Sequence, residues 1–109
     1  MIFQKHNIRK RSKYNSKIKI VDGITFQSIK EANYYSALKM RVKAGDIEMF
    51  LMQIPFQLPG NVKYRCDFQE FWKDGTVHFI DVKGMLTKDF IMKKKMVEDL
   101  YPVEIEIVK

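Results

Sequence analysis

Lys63-Tyr64-Arg65-Cys66-Asp67-Phe68-Gln69-Glu70-Phe71-Trp72 and Thr76-Val77-His78-Phe79-Ile80-Asp81-Val82-Lys83 read as two strands, with Lys73-Asp74-Gly75 between them as a turn signal. The length of that loop sets the register. If Asp74-Gly75 is a two-residue turn, Lys73 pairs with Thr76, Asp67 lies opposite Val82, and Asp67 and Asp81 point to opposite faces. If the loop has three residues, with Gly75 left-handed at a bulge, Trp72 pairs with Thr76 and Asp67 lies opposite Asp81. Directly opposed Cβ atoms are about 4.5–5.5 Å apart, where like charges destabilise the pair unless a cation bridges them. In the three-residue register one face carries Asp67, Gln69, Phe71, Val77, Phe79, Asp81 and Lys83. The other carries Cys66, Phe68, Trp72, Ile80 and Val82. Both faces are substantially apolar, so helices or a second layer should cover both.

Two carboxylates and an ammonium on adjacent strands suit metal-dependent phosphodiester chemistry. Asp67 and Asp81 offer the oxygen ligands that a hard cation takes. Such a cation lowers the pKa of bound water, and Lys83 can orient that water or neutralise developing charge. The competing reading is a pair of aspartates at a solvated sheet edge.

The chain has 109 residues, 46% of them hydrophobic, which bounds it to one small folded domain. No apolar run approaches the roughly 20 residues of a membrane span, and the first residues carry no signal-peptide pattern. The single cysteine, Cys66, excludes an internal disulfide and a multi-cysteine zinc site, which fits a cytoplasmic setting. Cys66 has no evident imidazole partner and reads as buried packing. The net charge of +7 is uneven. Lys5, Arg9, Lys10, Arg11, Lys13, Lys17 and Lys19 precede the first acid, Asp22, and the other 13 basic residues balance the 13 acids. Residues 1–16 therefore read as a basic arm on a near-neutral domain, 17–109, and suggest contact with phosphate backbones.

Around the hairpin, Lys17 to Val21 and Ile24 to Phe26 flank the tight turn Asp22-Gly23. Ser28-Ile29-Lys30-Glu31 is a capping box that opens a helix ending at Gly45, with Ala32, Tyr35, Leu38 and Val42 inward. The stretch Ile47 to Leu58 is interrupted by Pro55 and divides into strands near Met49–Gln53 and Phe56–Leu58. Pro59-Gly60-Asn61 is a turn. Thr87 caps a second helix over residues 88–100, with Phe90, Ile91, Val97 and Leu100 inward and Lys93, Lys94 and Lys95 outward. Val103 to Val108 is an edge strand. Glu31 has two incompatible roles open to it: half of the capping box, or a third acid brought to Asp67 and Asp81. His78 falls on the face opposite the aspartates and reads as structural, and His6 belongs to the arm.

The ordered set Phe26-x-Ser28-x-x-Glu31-Ala32, Gln53-x-x-Phe56-x-Leu58, Tyr64-x-x-Asp67-Phe68 and Asp81-Val82-Lys83-Gly84-x-x-Thr87-x-x-Phe90 resembles small phage-encoded nucleases of the PD-(D/E)xK superfamily over residues 17–108. The resemblance implies an α+β fold: a restriction-endonuclease-like mixed sheet flanked by helices. It implies Glu31, Asp67 and Asp81 as metal-binding acids, Lys83 as the catalytic lysine, and Mg²⁺ or Mn²⁺ as cofactor. It makes Gln53 and Thr87 candidates to line the site. Gln53-Ile54-Pro55 is similar to a Gln-Pro element of transposon end-cleaving endonucleases, and a buried structural glutamine is the alternative. Cys66 stands where proline is frequent in the superfamily, and Asp81 where many members carry glutamate. The expected activity is Mg²⁺-dependent cleavage of DNA, branched or duplex, by a homodimer in phage recombination or replication. The arm residues and Lys93, Lys94 and Lys95 would hold the DNA backbone. The alternatives are a catalytically silent DNA-binding module and a nuclease subunit of a larger recombination or transposition complex.

Overall fold

The computed structural model describes residues 17–109. The basic arm, with Lys5, His6, Arg9, Lys10, Arg11 and Lys13, lies outside the described residues. The remainder forms a mixed α+β fold. Its elements are β1 (Lys19–Val21), β2 (Ile24–Phe26), α1 (Ile29–Ala44), β3 (Ile47–Leu58), β4 (Val62–Trp72), β5 (Val77–Val82), α2 (Lys88–Leu100) and β6 (Ile105–Val108). Strands β3, β4 and β5 form an antiparallel meander, and β6 joins β5 in parallel through the α2 crossover.

The central hairpin takes the three-residue loop. Trp72 N–H donates to Thr76 O, Gly75 N–H donates to Trp72 O, and Gly75 has φ 91°. Phe68 pairs with Ile80 and Phe71 with Val77, the register that sets Asp67 opposite Asp81. Asp74 fixes the loop by accepting hydrogen bonds from both the backbone N–H and the hydroxyl of Thr76.

Each sheet face is covered. Ala32, Tyr35 and Leu38 of α1 pack with Phe26, Ile47, Phe68, Ile80 and Val82. Phe90 and Val97 of α2 pack with Phe56, Leu58, Tyr64, Cys66 and Ile105. Cys66 and Phe68, two residues apart and expected on one face, thus serve opposite clusters. Met52 and Ile54 on β3 divide in the same way. The reversal falls at Gln53, whose φ of 55° breaks the strict alternation that a continuous strand imposes.

Two further expectations need correction. Ile47 to Leu58 is one strand running through Pro55, not two; β3 lies at the sheet edge, where the missing N–H of proline is tolerated. Ile91 and Leu100 are exposed rather than inward. On α2 the inward row between Phe90 and Val97 is taken by the stem of Lys94, whose ammonium reaches Glu98 at 2.9 Å, and Glu98 accepts the Ile105 N–H at 2.8 Å.

The left-handed Gly75 has open space where a Cβ would lie, so its substitution tests backbone strain alone. Gly75→Ala should lower stability by roughly 1–2 kcal/mol, read as a shifted urea midpoint with an unchanged slope.

Candidate metal and phosphodiester site

Three elements deliver the acids. Ser28 caps α1 by accepting the Glu31 N–H at 3.1 Å, but the reciprocal half of the capping box does not form. The Glu31 carboxylate turns instead toward β3, where Gln53 Nε2 donates to its Oε2 at 3.3 Å. The competition between cap and ligand is resolved by Ser28 alone serving the helix end.

Asp67 and Asp81 meet where β4 and β5 separate. The β4–β5 pairing runs from Phe71/Val77 to Phe68/Ile80 and stops there. Beyond that point each carboxylate binds the other strand: Asp67 N–H donates to Asp81 Oδ1 at 3.2 Å, and Val82 N–H donates to Asp67 Oδ2 at 2.9 Å. Asp81 is fully buried, and its Oδ2 has no hydrogen-bond partner.

A cleft of about 490 Å³ opens over this fork between the β1–β2 hairpin, the start of α1 and the sheet. Glu31, Gln53, Asp67 and Lys83 line it together with Ser28, Met52 and Gly84. Asp81 lies beneath it and Thr87 does not line it; the Thr87 hydroxyl caps α2 by accepting the Phe90 N–H. Lys83 extends its Nζ over the Phe90 ring, 4.8 Å from the centroid. A larger hollow of about 590 Å³ between the hairpin and α1 has a single acid, Asp22, already bonded to Lys39 and Tyr35.

The electrostatics match a cluster of acids short of positive charge. Burial pushes the Glu31 carboxyl from an ordinary 4.5 to about 7, with the Asp67 charge adding to the rise and Lys83 opposing it. Burial likewise raises Asp81 from 3.8 to about 6, against the pull of Lys83 and of the Asp67 N–H. Asp67 also rises through burial, opposed by the Val82 N–H and then Lys83.

Among the described residues no three side chains of the usual ligating types converge tightly enough to form a ready cation cage. Asp67 and Asp81 each give one oxygen to a backbone N–H. The donor set is nevertheless one that a hard divalent cation takes, all carboxylate oxygen. The bare Asp81 Oδ2 is a buried acceptor without a partner, the kind of atom that a cation would satisfy. The residues present therefore fit such an ion.

Other candidates serve structure. Cys66 is buried, its thiol donates to Ile80 O at 3.3 Å, and burial pushes it up to about 12, so it is no nucleophile. His78 bonds Glu106 and Thr76. Lys93 and Lys94 pair with Asp89 and Glu98 on their own helix, which leaves Lys95 as the exposed member of that trio.

The sequence profile of a family described as "Protein of unknown function (DUF1064)" matches residues 11–108. The chain belongs to the DUF1064 family. Searches of curated proteins and of solved structures return no match. In this DUF1064 protein the matched segment contains Glu31, Gln53, Asp67, Asp81 and Lys83. No helix of the described residues is long and apolar enough to cross a membrane.

A carboxyl whose folded value is raised binds its proton more tightly in the native state. Its contribution is therefore present below the unfolded value and lost as pH rises through the folded one. For Asp81 the loss runs from about pH 4 to pH 7 and amounts to on the order of 3 kcal/mol. Asp81→Asn in EDTA should accordingly raise stability at pH 8 relative to wild type and give no such gain at pH 4. Urea titrations at the two pH values check this; equal effects at both would locate the strain elsewhere.

Proposed function

We propose that this protein is a metal-dependent endodeoxyribonuclease that hydrolyses phosphodiester bonds, acting on branched DNA in phage recombination or replication. The observation that supports the reading is the convergence of Glu31, Asp67 and Lys83, from α1, β4 and the end of β5, on one cleft next to the buried Asp81, whose Oδ2 has no partner. The element order helix, three-strand meander, helix and parallel strand is compatible with the restriction-endonuclease-like fold that the resemblance to the PD-(D/E)xK superfamily implies.

Asp67, Asp81 and Glu31 would hold Mg²⁺ or Mn²⁺, which when bound polarises the phosphate and acidifies its water. Lys83 lines the same cleft, where its ammonium can orient the attacking water and offset charge on the phosphate oxygens. Water attacks phosphorus and the 3′-oxygen leaves. Raised acid pKa values suit this role, because unpaired buried carboxylates gain most from a cation. The arm residues Lys5, Arg9, Lys10, Arg11 and Lys13, with Lys95, would contact backbone phosphates. Two copies would give a surface large enough for a branched substrate.

One observation favours a second reading, a catalytically silent DNA-binding module: the carboxylates already hold backbone N–H groups and form no ready cage. Incubating the protein with a four-way junction, a flap, linear duplex and single-stranded DNA, with Mg²⁺, Mn²⁺ or EDTA, separates the two. Metal-dependent cleavage supports the nuclease. DNA binding that survives EDTA and Asp67→Ala, with no cleavage under any metal, supports the silent module. Cleavage only on adding neighbouring gene products would identify a subunit of a larger complex.

Glu31→Gln, Asp67→Asn, Asp81→Asn and Lys83→Ala should each slow cleavage by roughly 10²-fold or more, while Asp81→Asn keeps or improves metal-free DNA binding. Single-turnover rates on saturating DNA give the first quantity and filter binding in EDTA the second. Deleting residues 1–16 should weaken binding to all DNA sequences and make the slope of log K against log salt shallower by about 0.9 per lost phosphate contact. Turnover of bound DNA should change little. An unchanged slope would reduce the arm to a solubilising tail.

A further inference from the structure

Gln53 holds a left-handed backbone, φ 55°, in the interior of a twelve-residue strand. A side chain other than glycine pays for that conformation, and such strain persists only where its surroundings enforce it. Neither glycine nor asparagine, the residues that adopt it most readily, stands there.

Three consequences follow at this one position. The β3–β4 ladder pairs Met52 with Phe68 and Ile54 with Cys66 but omits Gln53 and Asp67. Asp67 N–H, without a β3 partner, donates to Asp81 Oδ1. The facing of β3 and β4 reverses, so that Asp67 opens into the α1-side cleft although its neighbour Phe68 is in the α1 core. The Gln53 side chain then enters the same cleft. Its amide donates to Glu31 at 3.3 Å, and Asp67 lines the same cleft beside it. A primary amide has two donors, and only one of them is used by Glu31.

We propose that Gln53 is a positioning residue of the cleft: its left-handed backbone turns Asp67 into the site, and its amide orients the Glu31 carboxylate beside it for a divalent cation. This rests on the nuclease reading for the identity of the ligand. A residue kept only to bend the strand would be better replaced by glycine, which takes the same turn without strain. Gln53 thus trades stability for the site, and its two contributions can be separated.

The experiment measures Mn²⁺ affinity by calorimetry and melting temperature in EDTA for wild type, Gln53→Gly, Gln53→Asn and Gln53→Ala. Gln53→Gly keeps the turn and loses the amide. It should melt at or above the wild-type temperature yet bind Mn²⁺ at least tenfold more weakly. Gln53→Asn, with a shorter amide and good tolerance of the left-handed region, should fall between the two in affinity. Gln53→Ala should lose both affinity and stability. Wild-type Mn²⁺ affinity in Gln53→Gly would overturn the inference and leave the nuclease reading standing, with Gln53 as a bend alone. A Gln53→Gly melting well below wild type would also overturn it, by showing that the amide is a folding contact. Absence of Mn²⁺ binding by the wild type would sink the nuclease reading and this inference together.

Discussion

The structure turns on a missing rung. Asp67 is absent from the β3 ladder and lies just past the end of the β5 ladder. A central strand with unpaired backbone groups in a core is costly, because each buried N–H without a partner forfeits a hydrogen bond. Two carboxylates close the gap, Asp81 taking the Asp67 N–H and Asp67 taking the Val82 N–H. The fork that would be a defect in an ordinary sheet thereby becomes a buried acidic notch under a cleft.

The contrast with Glu70, three residues further along the same strand, shows what distinguishes a site from a structural acid. Glu70 is as buried as Asp81, yet its two oxygens receive the Tyr34 hydroxyl and the Trp72 indole N–H. The Arg41 guanidinium stacks over that indole at 4.6 Å. The Glu70 cluster uses up its polar capacity and closes one end of the sheet. At Asp81 one oxygen is bonded and the other bare, and the Asp67 and Asp81 charges lie close enough to Glu31 to raise its proton affinity. A buried charge is tolerated when partnered; one left partly unpartnered beside like charges stores free energy that a cation can release.

Much of this was legible in the sequence. The Lys73-Asp74-Gly75 segment narrowed the hairpin to two registers, and the three-residue loop with left-handed Gly75 is the one that opposes Asp67 and Asp81. Ser28, Thr87 and Gly45 marked helix ends for the local reason that orphan backbone groups need nearby partners. The burial of Cys66 followed from strand apolarity. Lys94, by contrast, reads as one more exposed lysine until Glu98 and Ile105 fold beside it. Ile91 and Leu100 lie off the row that Phe90, Lys94 and Val97 form, and stay exposed.

The sequence by itself determined the local quantities: where the helices begin, the two registers open to the central hairpin, and that three acids and a lysine belong to separate elements. These depend on spacing and turn chemistry within a few residues. Only the tertiary structure decided that Glu31 leaves its cap for the cleft, that β3 continues through Pro55, and that the facing of β3 and β4 reverses at the level of Gln53. Each of these depends on what lies across a gap from the residue: Gln53 across from Glu31, an edge with no neighbour beside Pro55, and two helices competing for the sheet's faces. A left-handed glutamine has no local signature, since its conformation is imposed by the packing on either side of it rather than preferred by the residue.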